Sequence, residues 1–172
     1  MEILRNAIRT IPDFPKPGIN FYDITPMLAD ARAFQTAIDG LADRYVGDKI
    51  DIVLGIDARG FLLAPAIAYK LGKGLTIVRK AGKLPHQTHS ASYALEYGEA
   101  TIEMHVDGVR SGQRVLVVDD VLATGGTARA AGELVRKAGG RVHEFAFLLE
   151  LPGLGGRRRL EPEPAFSLLQ FT

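Results

Sequence analysis

The 172 residues carry a formal net charge of +1, with 47% hydrophobic and 24% charged side chains and no cysteine. That balance suits one globular domain with a sizeable core, and it excludes a global field for nucleic acid or a membrane surface. Disulfides and thiolate metal sites are excluded outright, and the four histidines show no ligand spacing, so no protein-held metal is expected.

Met1 to Asp13 carries charges throughout and has no apolar signal core. No apolar run approaches membrane-spanning length, so a cytoplasmic protein is expected. Apolar residues at Ile3, Leu4, Ala7, Ile8 and Ile11 have helical spacing. Pro12, Pro15, Pro17 and Gly18 then break regular structure. The segment from Phe14 to Pro26 is rigid, loop-like and rich in aromatic residues. By composition alone it is a stiff lead-in that packs Phe14 and Phe21 onto the core. Leu28 to Tyr45 reads as one amphipathic helix, with Phe34, Ile38, Leu41 and Ala42 on one face.

Ile52-Val53-Leu54-Gly55-Ile56 is an unbroken apolar run of the kind that forms a strand buried on both faces. It ends in Asp57-Ala58-Arg59-Gly60-Phe61 and passes into a helix that stops near Leu71-Gly72. Polar residues at the carboxyl end of a strand are where open α/β sheets bind ligands. A third strand, Leu75 to Val78, closes on Arg79-Lys80-Ala81-Gly82-Lys83, whose three cations read as anion ligands. Leu84 to Gly98 loses any core face and reads as a long mobile loop, of the sort that is functional in a compact domain. Its His86 and His89 have no assignable partner. Thr101 to Val106 alternates as a half-exposed strand with His105 facing outward.

The densest signal runs from Val115 to Thr127. Val115-Leu116-Val117-Val118 is a buried strand, Asp119 and Asp120 end it, and Val121-Leu122-Ala123-Thr124-Gly125-Gly126-Thr127 leads into a helix closed by Gly139 and Gly140. Consecutive glycines let backbone N–H groups turn inward, and a helix start adds unpaired N–H groups and a positive dipole end. Thr124 and Thr127 add hydroxyls. Together these cradle a phosphate, while Asp119 and Asp120 are placed to accept from the vicinal hydroxyls of an attached sugar. The loop lacks both the P-loop lysine and the G-x-G-x-x-G spacing, so neither common nucleotide fold is supported. Val142 to Leu149 gives a further strand, Arg157-Arg158-Arg159 reads as a solvated run, and Phe166 to Phe171 as a short closing strand. Strands alternating with helices predict an α/β fold, a mainly parallel sheet of about five strands flanked by helices. Residues 1–172 form a single domain in this reading. Residues 1–27 and 150–172 supply a small cap, and 84–98 a mobile lid.

The Asp-Asp and Ala-Thr-Gly-Gly-Thr sequence resembles the phosphoribosyl pyrophosphate (PRPP) motif of the type I phosphoribosyltransferases. Over nearly its whole length the chain resembles the adenine phosphoribosyltransferase family. The stretches that carry the likeness are Phe14 to Ile19, Phe21, Asp23 to Pro26, Ala58 to Phe61, Arg79-Lys80, Gly82 to Pro85, Ser92-Tyr93, Leu95 to Gly98, Leu149 to Leu151 and Phe166 to Gln170. The resemblance implies transfer of ribose 5-phosphate from PRPP to adenine, giving AMP and pyrophosphate, with Mg²⁺ held mainly by PRPP and water, in a homodimer. It places Ala123, Thr124, Gly125, Gly126 and Thr127 on the 5-phosphate, and Arg59, Arg79, Lys80 and Lys83 on the pyrophosphate. It gives Glu96 of the lid a proton-handling role beside catalytic Arg59. It sets Phe21 and Leu151 against the adenine ring and the main chain of Asn20 and Tyr22 at its Watson–Crick edge. Two alternatives stay open: a PRPP-sensing regulatory module without catalysis, and transfer to a 6-oxopurine or orotate. The chain shows no basic recognition helix of the kind a DNA-binding regulator needs.

Overall fold

The apolar runs become the central strands in a computed structural model that describes residues 1–95 and 98–172. The chain divides into two compact units, Met1–Gly40 and Leu41–Thr172.

The first unit opens with helix α1 (Glu2–Ala7), strands β1 (Arg9–Ile11) and β2 (Phe21–Asp23), and helix α2 (Thr25–Ala29). Helix α3 (Ala31–Ala42) begins here and ends in the second unit. The helical spacing from Ile3 to Ile11 therefore holds only as far as Ala7. Ile8 is already extended, and residues 9 to 11 instead pair antiparallel with β2, Thr10 opposite Tyr22. The segment between the two strands folds back on itself: Asp13 Oδ1 accepts from Gly18 N at 2.8 Å, and Phe14 N donates to Ile19 O at 3.0 Å. The single helix expected from Leu28 to Tyr45 is broken in two. Asp30 is extended, and its carboxylate accepts from Ala33 N at 2.7 Å, a side-chain cap that starts α3 afresh.

The second unit is built on β3 (Ile52–Ile56), α4 (Gly60–Leu71), β4 (Gly74–Lys80), β5 (Thr88–Ala94), β6 (Glu99–His105), β7 (Arg114–Leu122), α5 (Gly126–Lys137), β8 (Arg141–Glu150), α6 (Gly156–Leu160) and β9 (Ala165–Gln170). Its sheet has the order β5-β6-β4-β3-β7-β8-β9. The α/β class is as predicted, but the sheet has seven strands rather than about five. From β4 to β9 all neighbours are parallel, and β5 and β6 add an antiparallel hairpin at one edge. That hairpin corrects the reading of 84–98 as loop. Thr88–Ala94 is small and polar, with only Ala91 buried, so it carries no strand pattern of its own. Its ladder with β6, from Thr88 opposite His105 to Ala94 opposite Glu99, makes it a strand.

Alternate residues of the central strands face opposite helical layers. Leu54, Ile56, Val115, Val117, Phe145 and Phe147 pack with Ala131, Leu134 and Val135 of α5. On the other face α4 buries Leu63, Ala64, Ile67 and Ala68. It lies so near β3 that a Cβ on Gly55 would stand 2.9 Å from Ala64 Cβ. At the far end of β8 the buried Glu144 accepts a fork from Arg44 (2.8 and 3.0 Å) and the Tyr45 hydroxyl at 2.7 Å. Gly55 is thus a packing requirement, and Gly55→Ala is expected to destabilise the protein by about 1–3 kcal/mol in urea unfolding. An unchanged midpoint would show that α4 is free to move away.

Candidate active site

Strand β7 does not end at its carboxylates. Asp119 and Asp120 are still in the ladder, with Asp119 opposite Phe147 of β8. Strand pleating sends their side chains to opposite sides, and Asp119 Oδ1 turns back to accept from Asp120 N at 2.9 Å. Asp120 is buried, and its Oδ2 lies 2.5 Å from Arg59 Nε as an ion pair without hydrogen-bond alignment. Burial, and then the Asp120 charge, push the Asp119 carboxyl well above the usual carboxylate range. Burial pushes Asp120 up as well, while Arg59 pulls it down.

Arg59 reaches this point because α4 starts directly against the end of β7. A Cβ on Gly60 would sit 2.8 Å from Val118 O and 3.2 Å from Asp119 Oδ1, so only glycine allows the approach. One strand further along, Arg79 extends the same charged row. Asp57 N donates to Val78 O at 2.9 Å, and Arg79 Nε lies 3.4 Å from Asp57 Oδ2. Arg79 also donates to Lys83 O at 3.3 Å, while Gly82 N donates to Glu103 Oε2 at 3.0 Å, so the turn carrying the exposed Lys80 and Lys83 is tied to both β4 and β6.

After β7, Ala123 and Thr124 lead to Gly125, which has φ +79° and caps α5. Arg129 N donates to Gly125 O at 2.9 Å as the first helical bond, so the N–H groups before it have no partner inside the helix. The loop rests on another glycine. A Cβ on Gly125 would be 2.7 Å from Gly156 O, and one on Gly156 would press into the Ala123 carbonyl. Thr124 is exposed, whereas Thr127 Oγ1 donates to the Tyr93 hydroxyl at 2.9 Å. The arrangement offers backbone donors for a phosphate, carboxylate acceptors one strand-end away, and guanidinium groups beside them.

The second unit therefore gathers Arg59, Arg79, Asp119, Asp120 and Ala123 to Thr127 at the carboxyl ends of adjacent parallel strands. Lys80 and Lys83 stand on the same turn as Arg79. Leu151 follows β8, half-buried, with its N–H on Leu122 O at 2.9 Å. Asn20, Phe21 and Tyr22 belong to the first unit, where Asn20 is exposed, Tyr22 is buried, and Phe21 meets Phe14 edge to face at 5.3 Å. Glu96 lies outside the described residues. The sequence reading missed three supports. Arg157 is not simply part of a solvated run: it forks onto the buried Glu150 (Nε–Oε1 3.0 Å, Nη2–Oε2 2.5 Å), holding the Glu150 carboxyl below its ordinary pKa. Gly156 and the contact of Tyr93 with the motif are the others: the family likeness marks Ser92-Tyr93, but only the structure shows that Tyr93 and Gly156 lie against the loop.

Residues 25–164 match the phosphoribosyl transferase domain family. Over 171 residues the chain is 57% identical to an adenine phosphoribosyltransferase of Geobacter metallireducens, covering 99% of this chain and 100% of that one. The chain belongs to the adenine phosphoribosyltransferase family. Among solved structures, the family member from Thermoanaerobacter pseudethanolicus superposes with a TM-score of 0.96 at 50% identity, covering 99% of each chain. The Saccharomyces cerevisiae enzyme, complexed with an imino-altritol bisphosphate and adenine, gives 0.93 at 41% identity, with 98% and 97% covered.

The raised Asp119 carboxyl has a measurable cost. A carboxyl whose folded pKa exceeds its unfolded one binds its proton more tightly when folded, so its contribution to stability is present at low pH and lost as pH rises through the folded value. Asp119→Asn is expected to raise the melting temperature by about 2–5 °C at pH 8, with the gain shrinking towards pH 4. A variant less stable than wild type at pH 8 would contradict the electrostatic reading.

Proposed function

We propose that this chain transfers the ribose 5-phosphate group of PRPP to adenine, forming AMP and releasing pyrophosphate. The observation that carries the reading is the pair Asp119 and Asp120 near the carboxyl end of β7, which ends at Leu122 and leads through Ala123 and Thr124 to Gly125 and the α5 start at Gly126. Backbone N–H groups of Ala123 to Thr127 and the Thr127 hydroxyl hold the 5-phosphate, and the two carboxylates accept from the ribose hydroxyls. Adenine N9 bonds to ribose C1 as the C1–O bond to pyrophosphate breaks, and the electron pair leaves with the pyrophosphate. Arg59 and Arg79, with Lys80 and Lys83, stabilise that growing charge. Fixed donors of this kind are worth roughly 2–4 kcal/mol each in the transition state. Asp120 and Asp57 hold the two guanidinium groups at the strand ends.

Among the described residues there is no group of three or more His, Cys, Asp or Glu side chains that could hold a metal. Mg²⁺ fits as a companion of PRPP, bound by diphosphate oxygens and water, and when bound it neutralises charge on the leaving group. A ribosyl cation-like transition state needs protection from water. The segment 84–98 serves as the lid through the part beyond strand Thr88–Ala94, with Glu96 handling the proton that adenine loses. No helix of the described residues is long and apolar enough to cross a membrane, and the reading places the enzyme in the cytoplasm.

A homodimer belongs to this proposal. Support comes from the outer face of α4, where Leu62, Pro65 and Tyr69 repeat at helical spacing and Tyr69 is 89% exposed. Sedimentation at assay concentration tests it, and a catalytically competent monomer would refute it. For the base, Phe21 and Leu151 supply apolar surfaces, and the main chain of Asn20 and Tyr22 supplies a carbonyl for the 6-amino group and an N–H for N1. Hypoxanthine and guanine present the opposite polarity at both positions, and an unpaired polar group there discriminates by about 10⁴ or more.

Turnover with PRPP and a panel of bases tests the whole reading. Adenine should exceed hypoxanthine in kcat/KM by about 10⁴. Phe21→Ala should weaken use of every base, Asn20→Ala and Tyr22→Ala should keep the preference, and Glu96→Gln should lower kcat more than PRPP affinity. Equal use of both purines would overturn the adenine assignment and leave the PRPP site standing. PRPP binding without turnover would favour a sensor.

A further inference from the structure

Tyr93 sits where the β5–β6 hairpin meets the start of α5, and it touches that start twice. Its hydroxyl is 2.9 Å from Thr127 Oγ1. Its ring lies so close to the loop that a Cβ on Gly126 would be 3.1 Å from Tyr93 Cδ2. Below this point the hairpin is fixed to α5: Ala91 is buried in the core on that face, and Lys137 Nζ donates to Ser90 O at 2.7 Å. Beyond it, Ala94 and Leu95 are exposed. Among the described residues of β5, Tyr93 is thus the outermost one held against the helix.

A hydroxyl can both donate and accept, so the direction of a hydrogen bond between two hydroxyls is set by what else they meet. In the structure Thr127 donates to Tyr93. A phosphate oxygen only accepts, so a phosphate on the loop draws the Thr127 hydrogen to itself and leaves Thr127 Oγ1 to accept from the Tyr93 O–H. We infer that Tyr93 is a positioning residue for phosphate binding, which holds the Thr127 hydroxyl towards the loop and reverses its own bond from acceptor to donor when the phosphate arrives. A line of hydroxyl donors ending on an anion is stronger than its separate bonds. The same bond carries phosphate occupancy to the hairpin, because the ring on Gly126 and the hydroxyl on Thr127 belong to one side chain. This rests on the assignment of Thr127 to the 5-phosphate made above.

The test is calorimetric binding of D-ribose 5-phosphate to the wild type, Tyr93→Phe, Thr127→Val and the double variant, with melting curves for all four and KM values for both substrates. Tyr93→Phe should bind about threefold to tenfold more weakly, melt within about 3 °C of the wild type, and raise KM for PRPP but not for adenine. Its effect should vanish in the Thr127→Val background, since it acts through that hydroxyl. If the loss persists in full there, or if Tyr93→Phe binds as the wild type does while Thr127→Val is weakened, the inference is overturned and the Thr127 assignment stands. If Thr127→Val itself binds normally, both fall together.

Discussion

The ion pair between Arg59 and Asp120 is the contact on which the rest of the candidate site depends. Two adjacent carboxylates on a central strand lie in surroundings that resist charge: burial raises the pKa of both, the Asp120 charge raises Asp119 further, and Arg59 and the hydrogen bond with Asp119 pull Asp120 down. An isolated charge in such a place is expensive, and a paired one is tolerated. Arg59 can supply the pairing only because α4 begins hard against β7, which needs glycine at 60, and because α4 packs close to β3, which needs glycine at 55. The electrostatics of the site are thus set by the closeness of one helix to two strands. The arrangement sets two adjacent carboxylate acceptors towards the carboxyl end of β7, at a cost in stability that packing does not explain.

Around that pair the chemistry is divided by element. Strand ends carry the groups that need fixed positions, with Asp119 held by the β8 ladder just past the last β3 pairing at Val118 and Arg79 held by β6. The phosphate loop has no ladder and gains its shape by contact, with Gly156 beneath Gly125 and Tyr93 against Gly126. Arg79 and its turn are tied to β3 through Asp57 and to β6 through Glu103. Glu150 and Arg157 bind the end of β8 to the segment that supplies Gly156. The site is therefore a set of short loops, each pinned from outside the strand that presents it.

Much of this was legible in the chain. Buried parallel strands announce themselves as unbroken Val and Leu runs, so β3 and β7 could be read directly, although β7 runs on through Asp119 and Asp120 to Leu122 because its ladder with β8 continues. The Gly-rich turn and helix start needed no tertiary information either. Thr88–Ala94 could not be read, because an edge strand made of small polar residues is defined by its partner and not by its own pattern. The helix from Leu28 was read through Asp30 because its apolar spacing continues across a cap that only the backbone shows. Arg157 looked like its two neighbours in a basic run, and the buried Glu150 that separates it from them comes from another strand. The contacts that Tyr93 and Gly156 make with the loop follow the same rule: contacts between distant segments leave no local mark.

The central claim, that Asp119 and Asp120 are a strained carboxylate pair kept for a sugar phosphate, is tested most directly by carbon-13 NMR titration of their carboxyl groups. The titration is run with and without D-ribose 5-phosphate. The account predicts that Asp119 titrates clearly above the ordinary aspartate value of about 3.9, and that both signals move when the ligand is added. Ordinary titration of both carboxyls, with neither responding to the ligand, would contradict it.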